Sequence, residues 1–219
     1  ASNVMAGNET TLPISIDQMI YHARAVACAC KHCLVVCDMP FGSYQVSREE
    51  GVRNAVRMMK ETGVDALKME GGIEIADTIK GIIDAGIPVM GHLGLTPQSV
   101  HKFGGYGLRA KEEAEAEKLL NDARTLDAVG CFAITLEKVP AKLAEEVTKS
   151  VSCATIGIGA GSGTDGQILV YADALGMTQG FKPKFLRHFA DVSKCMTDGV
   201  QEYIHTVKAC SFPNVDESY

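Results

Sequence analysis

The chain reads as an α/β protein built on a parallel sheet. Three observations predict this: apolar strand-like runs alternate strictly with helical stripes, six such runs are present, and nearly all of them stop at a polar residue. Strict alternation requires parallel strands joined by helical crossovers. Two architectures satisfy it, an open doubly wound sheet and a closed barrel. The open sheet accounts for six strands as they stand, whereas the usual barrel has eight strands in about 250 residues and would leave its first two outside this sequence. The polar strand ends favour the barrel, because an open sheet gathers its site at one switch point.

The elements follow in order. No structured element is expected before the turn-like Ala6-Gly7-Asn8-Glu9-Thr10, and the start, with Met5 the first methionine, does not read as a natural one. Ser15 and Gln18 form a capping box ahead of a helical stripe of Ile16, Met19, Ile20, Ala23 and Ala27. Cys33 to Cys37 is a near-continuous apolar run, a strand covered on both faces that ends at Asp38. Ser47 and Glu50 make a second capping box, Val52, Ala55, Val56 and Met59 carry the helix, and Gly63 closes it. The strand from Ala66 ends in Lys68-Met69-Glu70-Gly71-Gly72, where period-2 alternation puts Lys68 and Glu70 on one face and Leu67 and Met69 on the other.

The next helix runs through Ile75, Ile79, Ile82 and Ile83 to Gly86, and the strand Ile87 to Met90 leads into Gly91-His92-Leu93-Gly94. Thr96-Pro97 is a helix start. A helix from about Lys111 to Val129 turns Leu119, Leu120, Ala123 and Leu126 inward, and the strand Cys131 to Leu136 ends at Glu137. Leu143, Ala144 and Val147 mark another helix before the strand Ala154 to Ile158. Gly157 to Gly161 fails the dinucleotide fingerprint and reads as a tight turn or a close backbone approach. Ile168 to Tyr171 is the last strand, ending at Asp173; a helix from about Lys184 to Lys208 carries Phe185, Phe189, Met196, Val200 and Ile204, and Ser211 to Tyr219 is a loose tail.

Composition narrows the function. A net charge of -6 without a basic cluster argues against nucleic acid as the main partner, and no apolar run is long enough for a bilayer, so a cytosolic location is expected. Of the eight cysteines, Cys28, Cys30, Cys33 and Cys37 with His32 are too crowded for a paired zinc motif. Small buried thiols in a reducing compartment account for them better.

Asp38, Lys68, Glu70, His92 and Glu137 all stand at or just past the C-terminal end of a strand, where a barrel gathers its active site. Each alone is more often structural; five together point to one shared site. Asp38 and Glu70 offer hard oxygen ligands, which suits magnesium. Lys68 would hold a substrate anion, and Glu137, on a Leu-rich strand, would have its pKa raised to serve as a general base. The set fits proton abstraction next to a carbonyl.

The ordered motifs resemble the ketopantoate hydroxymethyltransferase family. They are Thr11-Leu12-Pro13, Asp38-Met39-Pro40-Phe41 with Ser43-Tyr44, Lys68 to Gly72, Gly91 to Gln98, Gly104-Gly105-Tyr106, Leu136 to Pro140, Gly157 to Gly161, and Thr164 to Val170. The resemblance spans nearly the whole chain. It implies a (β/α)8 TIM barrel of the phosphoenolpyruvate-binding type, Mg2+, 5,10-methylenetetrahydrofolate as co-substrate, 3-methyl-2-oxobutanoate as the oxo acid, and a homodecamer. It implies that Asp38 and Glu70 are metal ligands, that Asp38, Lys68 and His92 meet the oxo acid, and that Glu137 is the proton acceptor. It also implies an Asp-Ser pair just before the stretch matching Ala1 to Met5, so residues 1–219 are expected to be a single barrel domain lacking its first two strands. Two rival readings remain: a metal-dependent lyase or mutase of the phosphoenolpyruvate mutase and isocitrate lyase group, and a non-catalytic truncated barrel.

Overall fold

The computed structural model describes residues 1–178, 180 and 183–219. Contacts divide the chain into two compact units, Ala1–Ile168 and Leu169–Tyr219. Among the described residues, no helix is long and apolar enough to cross a membrane.

The first unit holds six parallel strands: β1 (Val36–Asp38), β2 (Ala66–Glu70), β3 (Val89–Gly94), β4 (Ala133–Glu137), β5 (Ala154–Ile158) and β6 (Gly166–Gln167). Each pairs only with its neighbours in sequence, in the order β1-β2-β3-β4-β5-β6. That order rules out the doubly wound sheet, which needs a reversal in strand order, and is the progression of a barrel wall. Ahead of β1 come α1 (Ser2–Ala6) and α2 (Ile16–Ala29), and between the strands lie α3 (Arg48–Thr62), α4 (Ala76–Asp84), α5 (Val100–Phe103), α6 (Glu113–Val129) and α7 (Ala141–Ser150).

Local chemistry accounts for the helix boundaries. Ser15 accepts from the Gln18 amide and the Gln18 side chain accepts from the Ser15 amide, a complete capping box. Ser47 accepts from the Glu50 amide without the return bond from the Glu50 side chain, so the second expected box is only half made, and Gly63 ends α3 in the left-handed conformation. The core lies between the outer sheet face and the helices. Leu67 and Met69 of β2, Val89 of β3, and Ile134 and Leu136 of β4 are fully enclosed against Met58, Ile79, Ile82, Leu126 and Val147. The opposite face of β2 carries Lys68 and Glu70, as alternation requires.

Several expectations need correction. A short helix, α1, precedes Ala6 after all; its chain end is held by Ser2 Oγ donating to the Thr10 carbonyl. The first strand is shorter than the apolar run Cys33 to Cys37, starting only at Val36, and Leu34 is 60% exposed. Hydrophobicity marked that run, but pairing with Ala66 sets where the ladder begins. Thr96-Pro97 does open a helical segment, the tight turn Pro97–Ser99 running directly into α5, but Thr96 makes no side-chain cap. The final strand is Gly166–Gln167 rather than Ile168 to Tyr171, because Gly166 and Gln167 are the residues in register with β5. Cys28 and Cys33 are exposed and Cys30 half-buried, so the buried-thiol reading holds for Cys37 and Cys131 but not for these three.

The second unit contains α8 (Tyr171–Ala174) and α9 (Val192–Lys208). The apolar run of the expected last strand thus begins a helix at Tyr171. The expected helix from Lys184 starts only at Val192, where Asp191 caps it by accepting from the Lys194 amide. Met196, Val200 and Ile204 are exposed. The segment Ser211 to Tyr219 includes a tight turn at Val215–Glu217 with its own capping box from Asn214 and Glu217.

Candidate active site

Parallel register assembles the site. Asp38 lies opposite Lys68, Glu70 opposite His92, and Gly94 opposite Glu137. With alternation in each strand, Lys68, Glu70, His92 and Glu137 fall on one sheet face, and Leu67, Met69, Leu93 and Leu136 on the other. All five residues expected from the sequence are brought together at the C-terminal rim.

His92 is the centre of the group. Its side chain is 4% exposed, with Nδ1 3.6 Å from Glu70 Oε1 and Nε2 3.2 Å from Glu137 Oε2. Lys68 Nζ stands 3.2 Å from His92 Nδ1 and 2.6 Å from Asp38 Oδ1. An ammonium has only donors, so this contact makes Nδ1 the acceptor and puts the ring proton on Nε2, facing Glu137. Burial and Lys68 push the imidazole pKa down, but the carboxylates of Glu137 and Glu70 prevail and leave it raised. Protonating Nδ1 therefore requires Lys68 to leave it and rest on Asp38. Burial alone would lower Lys68; Asp38 and then Glu70 reverse that and hold it above the ordinary lysine value.

Glu70 is fixed by residues whose functional part the sequence reading did not assign. The Gln98 amide, in the first turn after Pro97, donates to Glu70 Oε2 at 2.8 Å. Tyr44 Oη donates to Gln98 Oε1 at 2.8 Å and accepts from the Glu70 amide at 3.1 Å. Gln98 Nε2 in turn donates to the Met39 carbonyl, next to Asp38. Tyr44 is wholly buried, and burial followed by the Glu70 charge pushes its phenol well above the usual range. Its neighbours Gly42, Ser43, Gln45 and Ser47 gave no sign in the sequence that this phenol would be buried; once buried, it needs a polar partner. Just past Glu137, Lys138 adopts a left-handed backbone, φ 46°, with its amide bonded to the Ile158 carbonyl. A non-glycine residue held in that conformation is characteristic of functional rims.

The donor set suits magnesium. That ion uses one or two carboxylates and fills its octahedron with water and substrate oxygens. Asp38 Oδ1 is buried and has no well-aligned hydrogen-bond donor, its 2.6 Å contact with Lys68 being ionic. Among the described residues no three His, Cys, Asp or Glu side chains gather closely enough to hold a metal unaided. Asp38 and Glu70 would thus supply chain oxygens to an ion completed from outside.

Fold and site together are those of a barrel-type α/β enzyme with ionisable side chains gathered on the rim of a parallel sheet. The chain belongs to the ketopantoate hydroxymethyltransferase family, whose model matches residues 1–215. It is 59% identical over all 219 residues, and 80% of the relative's length, to a 3-methyl-2-oxobutanoate hydroxymethyltransferase of Phocaeicola vulgatus. A protein of the same name from Christiangramia forsetii is 61% identical with the same coverage. Among solved structures, a chain from Burkholderia cenocepacia provisionally described as a lyase/mutase superposes with a TM-score of 0.50 at 10% identity, over 91% of this chain and 69% of that one. That likeness concerns the fold alone.

Proposed function

We propose that this chain transfers a hydroxymethyl group from 5,10-methylenetetrahydrofolate to 3-methyl-2-oxobutanoate, giving 2-dehydropantoate, with magnesium at Asp38 and Glu70. The observation that carries the reading is the contact of His92 Nε2 with Glu137 Oε2 beside the Lys68 ammonium. It sets a carboxylate beside a fixed positive charge, the two things an enolisation needs. Magnesium, when bound, acts as a Lewis acid toward the carboxylate and keto oxygens of the oxo acid.

The chain's own residues do the rest. Lys68 meets the substrate anion, having moved from Asp38. Glu137 takes the proton from C3. His92 Nε2, 3.2 Å from Glu137 Oε2 but without hydrogen-bond alignment, stands beside the carboxylate as an electrostatic contact, and the charge passing to the keto oxygen faces Lys68. Water opens the donor's methylene bridge, its oxygen staying on the carbon while both C–N bonds break to release tetrahydrofolate; C3 delivers its electron pair to that carbon, and the oxygen so formed takes up the proton that Glu137 removed from C3. The same reading makes the fold an eight-stranded barrel of the phosphoenolpyruvate-binding type, completed by two strands beside the free edges of β1 and β6, and places it in a homo-oligomer such as the family's decamer.

The test is exchange of the C3 hydrogen of 3-methyl-2-oxobutanoate into deuterated water, followed by NMR with and without Mg2+. Metal-dependent exchange is expected without any folate. A folded protein that binds magnesium and the oxo acid yet exchanges nothing would sink the mechanism.

A further inference from the structure

The connection between α2 and β1 carries a pair of thiols that the site at the rim does not use. Cys30 and Cys33 have the C-x-x-C spacing of dithiol redox motifs. The chain bends sharply through Lys31, His32 and Cys33, and the side chains of Cys30 and Cys33 interact across the bend. Both ends of the connection are pinned. The Cys30 amide closes α2 on the Val26 carbonyl at 2.9 Å, and Lys31 Nζ donates to the Cys28 carbonyl at 2.7 Å. At the other end the Val35 amide donates to Asp65 Oδ2 at 2.8 Å, and the Val35 carbonyl accepts from the Asp65 amide at 2.9 Å. The two sulfurs are therefore brought together by an anchored turn.

Neither a metal nor packing accounts for the pair. Among the described residues no three His, Cys, Asp or Glu side chains gather closely enough to hold a metal, so Cys28 and His32 do not complete a zinc set with the two thiols. Cys33 is exposed and Cys30 half-buried, unlike the thiols of Cys37 and Cys131, which fill the core. Cys195 and Cys210 are also exposed, but they lie near opposite ends of α9, roughly 20 Å apart at the helical rise, beyond the reach of a disulfide. The Cys33 thiol beside it, ahead of desolvation, raises Cys30 above the ordinary thiol value. Cys30 thus keeps its proton, while Cys33 is the sulfur that a reagent in solution meets first.

We propose that Cys30 and Cys33 form a thiol–disulfide exchange site for small acidic disulfides of the glutathione class. Cys33, as thiolate, attacks one sulfur of the reagent; the S–S bond breaks, one small thiolate leaves with the electron pair, and Cys33 keeps the other half as a mixed disulfide. Cys30 then gives up its proton and attacks the Cys33 sulfur, expelling the second small thiolate. Two protein thiols are oxidised to one disulfide, one small disulfide is reduced to two thiols, and both protons pass to the departing thiolates. Lys31, between the two cysteines, spends its ammonium on a neutral carbonyl, so its charge remains to attract the carboxylates of such a reagent. The site stands at the N-terminal end of β1 and Asp38 at its C-terminal end, so it is independent of the function proposed above.

The experiment treats the whole native chain with oxidised glutathione, quenches the remaining thiols by alkylation and maps the products by mass spectrometry. The expected product is a Cys30–Cys33 disulfide that a dithiol reductant reverses, with no glutathione left on either residue. Cys30→Ser should halt the reaction at a glutathione adduct on Cys33, because nothing is left to resolve it. The equilibrium against glutathione should favour the disulfide about tenfold or more in the native chain over the urea-unfolded chain, since the anchored turn raises the effective concentration of one thiol at the other. A lasting adduct on Cys33 of the parent chain, a disulfide that joins Cys33 to Cys28 instead, or an equilibrium no more favourable in the native chain than in the unfolded one overturns the proposal.

Discussion

Glu137 Oε2 lies 3.2 Å from Nε2 of His92, and the other nitrogen of the same ring lies 3.2 Å from Lys68 Nζ. One imidazole thus stands between the proposed proton acceptor and the proposed anion-binding lysine, through contacts that three adjacent strands hold in register.

Replacing Glu137 by Gln keeps the shape of the side chain and removes its basicity. C3 exchange is expected to fall by roughly 10²- to 10⁴-fold, the range for a general base, while magnesium affinity stays as it was, since Glu137 is not among the ligands proposed. NMR exchange and metal titration on the same sample check both halves. Exchange at the parental rate would remove Glu137 from the role of base.

Tyr44→Phe deletes the hydroxyl that joins the Glu70 amide to Gln98. The Glu70 amide loses a partner in a buried setting, for which a loss of about 1–3 kcal/mol is expected. Glu70 should also bind magnesium more weakly, because the Gln98 amide that holds its Oε2 is no longer braced from below. Urea denaturation and isothermal titration read the two effects. A stability loss with unaltered magnesium affinity would show that Tyr44 supports the fold and not the ligand.

Gly94 and Gly86 share nearly the same backbone, φ 87° and 88°, but not the same surroundings. A Cβ at Gly94 would fall 2.3 Å from the Glu137 carbonyl oxygen, whereas at Gly86 nothing lies within 4 Å. Gly86→Ala should cost about 1–2 kcal/mol for the left-handed backbone alone and leave C3 exchange intact. Gly94→Ala should destabilise more and should lower exchange, since the clash displaces the residue that bears the base. Equal effects of the two substitutions on stability and exchange would refute this account.

Asp127 accepts from the amides of Ser152 and Cys153 at 3.0 and 2.9 Å, joining the end of α6 to the start of β5. Burial opposes ionisation, but the hydrogen bonds from Ser152 and Cys153 outweigh it and hold the carboxyl below its ordinary range. A group whose folded pKa lies below its unfolded one stabilises fully above the unfolded value, near 3.9 for aspartate, and loses that contribution as pH falls through the folded value. Asp127→Ala should therefore lower stability at neutral pH by about 1–3 kcal/mol and flatten the acid limb of the stability profile. An unchanged acid limb would mean that Asp127 contributes nothing to pH dependence.

The sequence by itself determined the alternation of elements, the capping box at Ser15, the enclosure of Leu67 and Met69, and the common face of Lys68 and Glu70. These follow from local rules: side-chain period, cap chemistry and hydrophobic patterning act over a few residues and survive whatever the chain packs against. What tertiary structure decided was everything dependent on partners distant in sequence. The start of β1 at Val36 was set by pairing with β2, and the last strand was moved back to Gly166–Gln167 by its register with β5. An apolar run marks a segment for burial but does not say which residues find a neighbour to complete their hydrogen bonds. The brace of Tyr44 and Gln98 on Glu70 joins residues 54 and 28 positions apart. Residue type and spacing are properties of the chain; orientation and satisfaction are properties of the fold, because both require the partner to be in place.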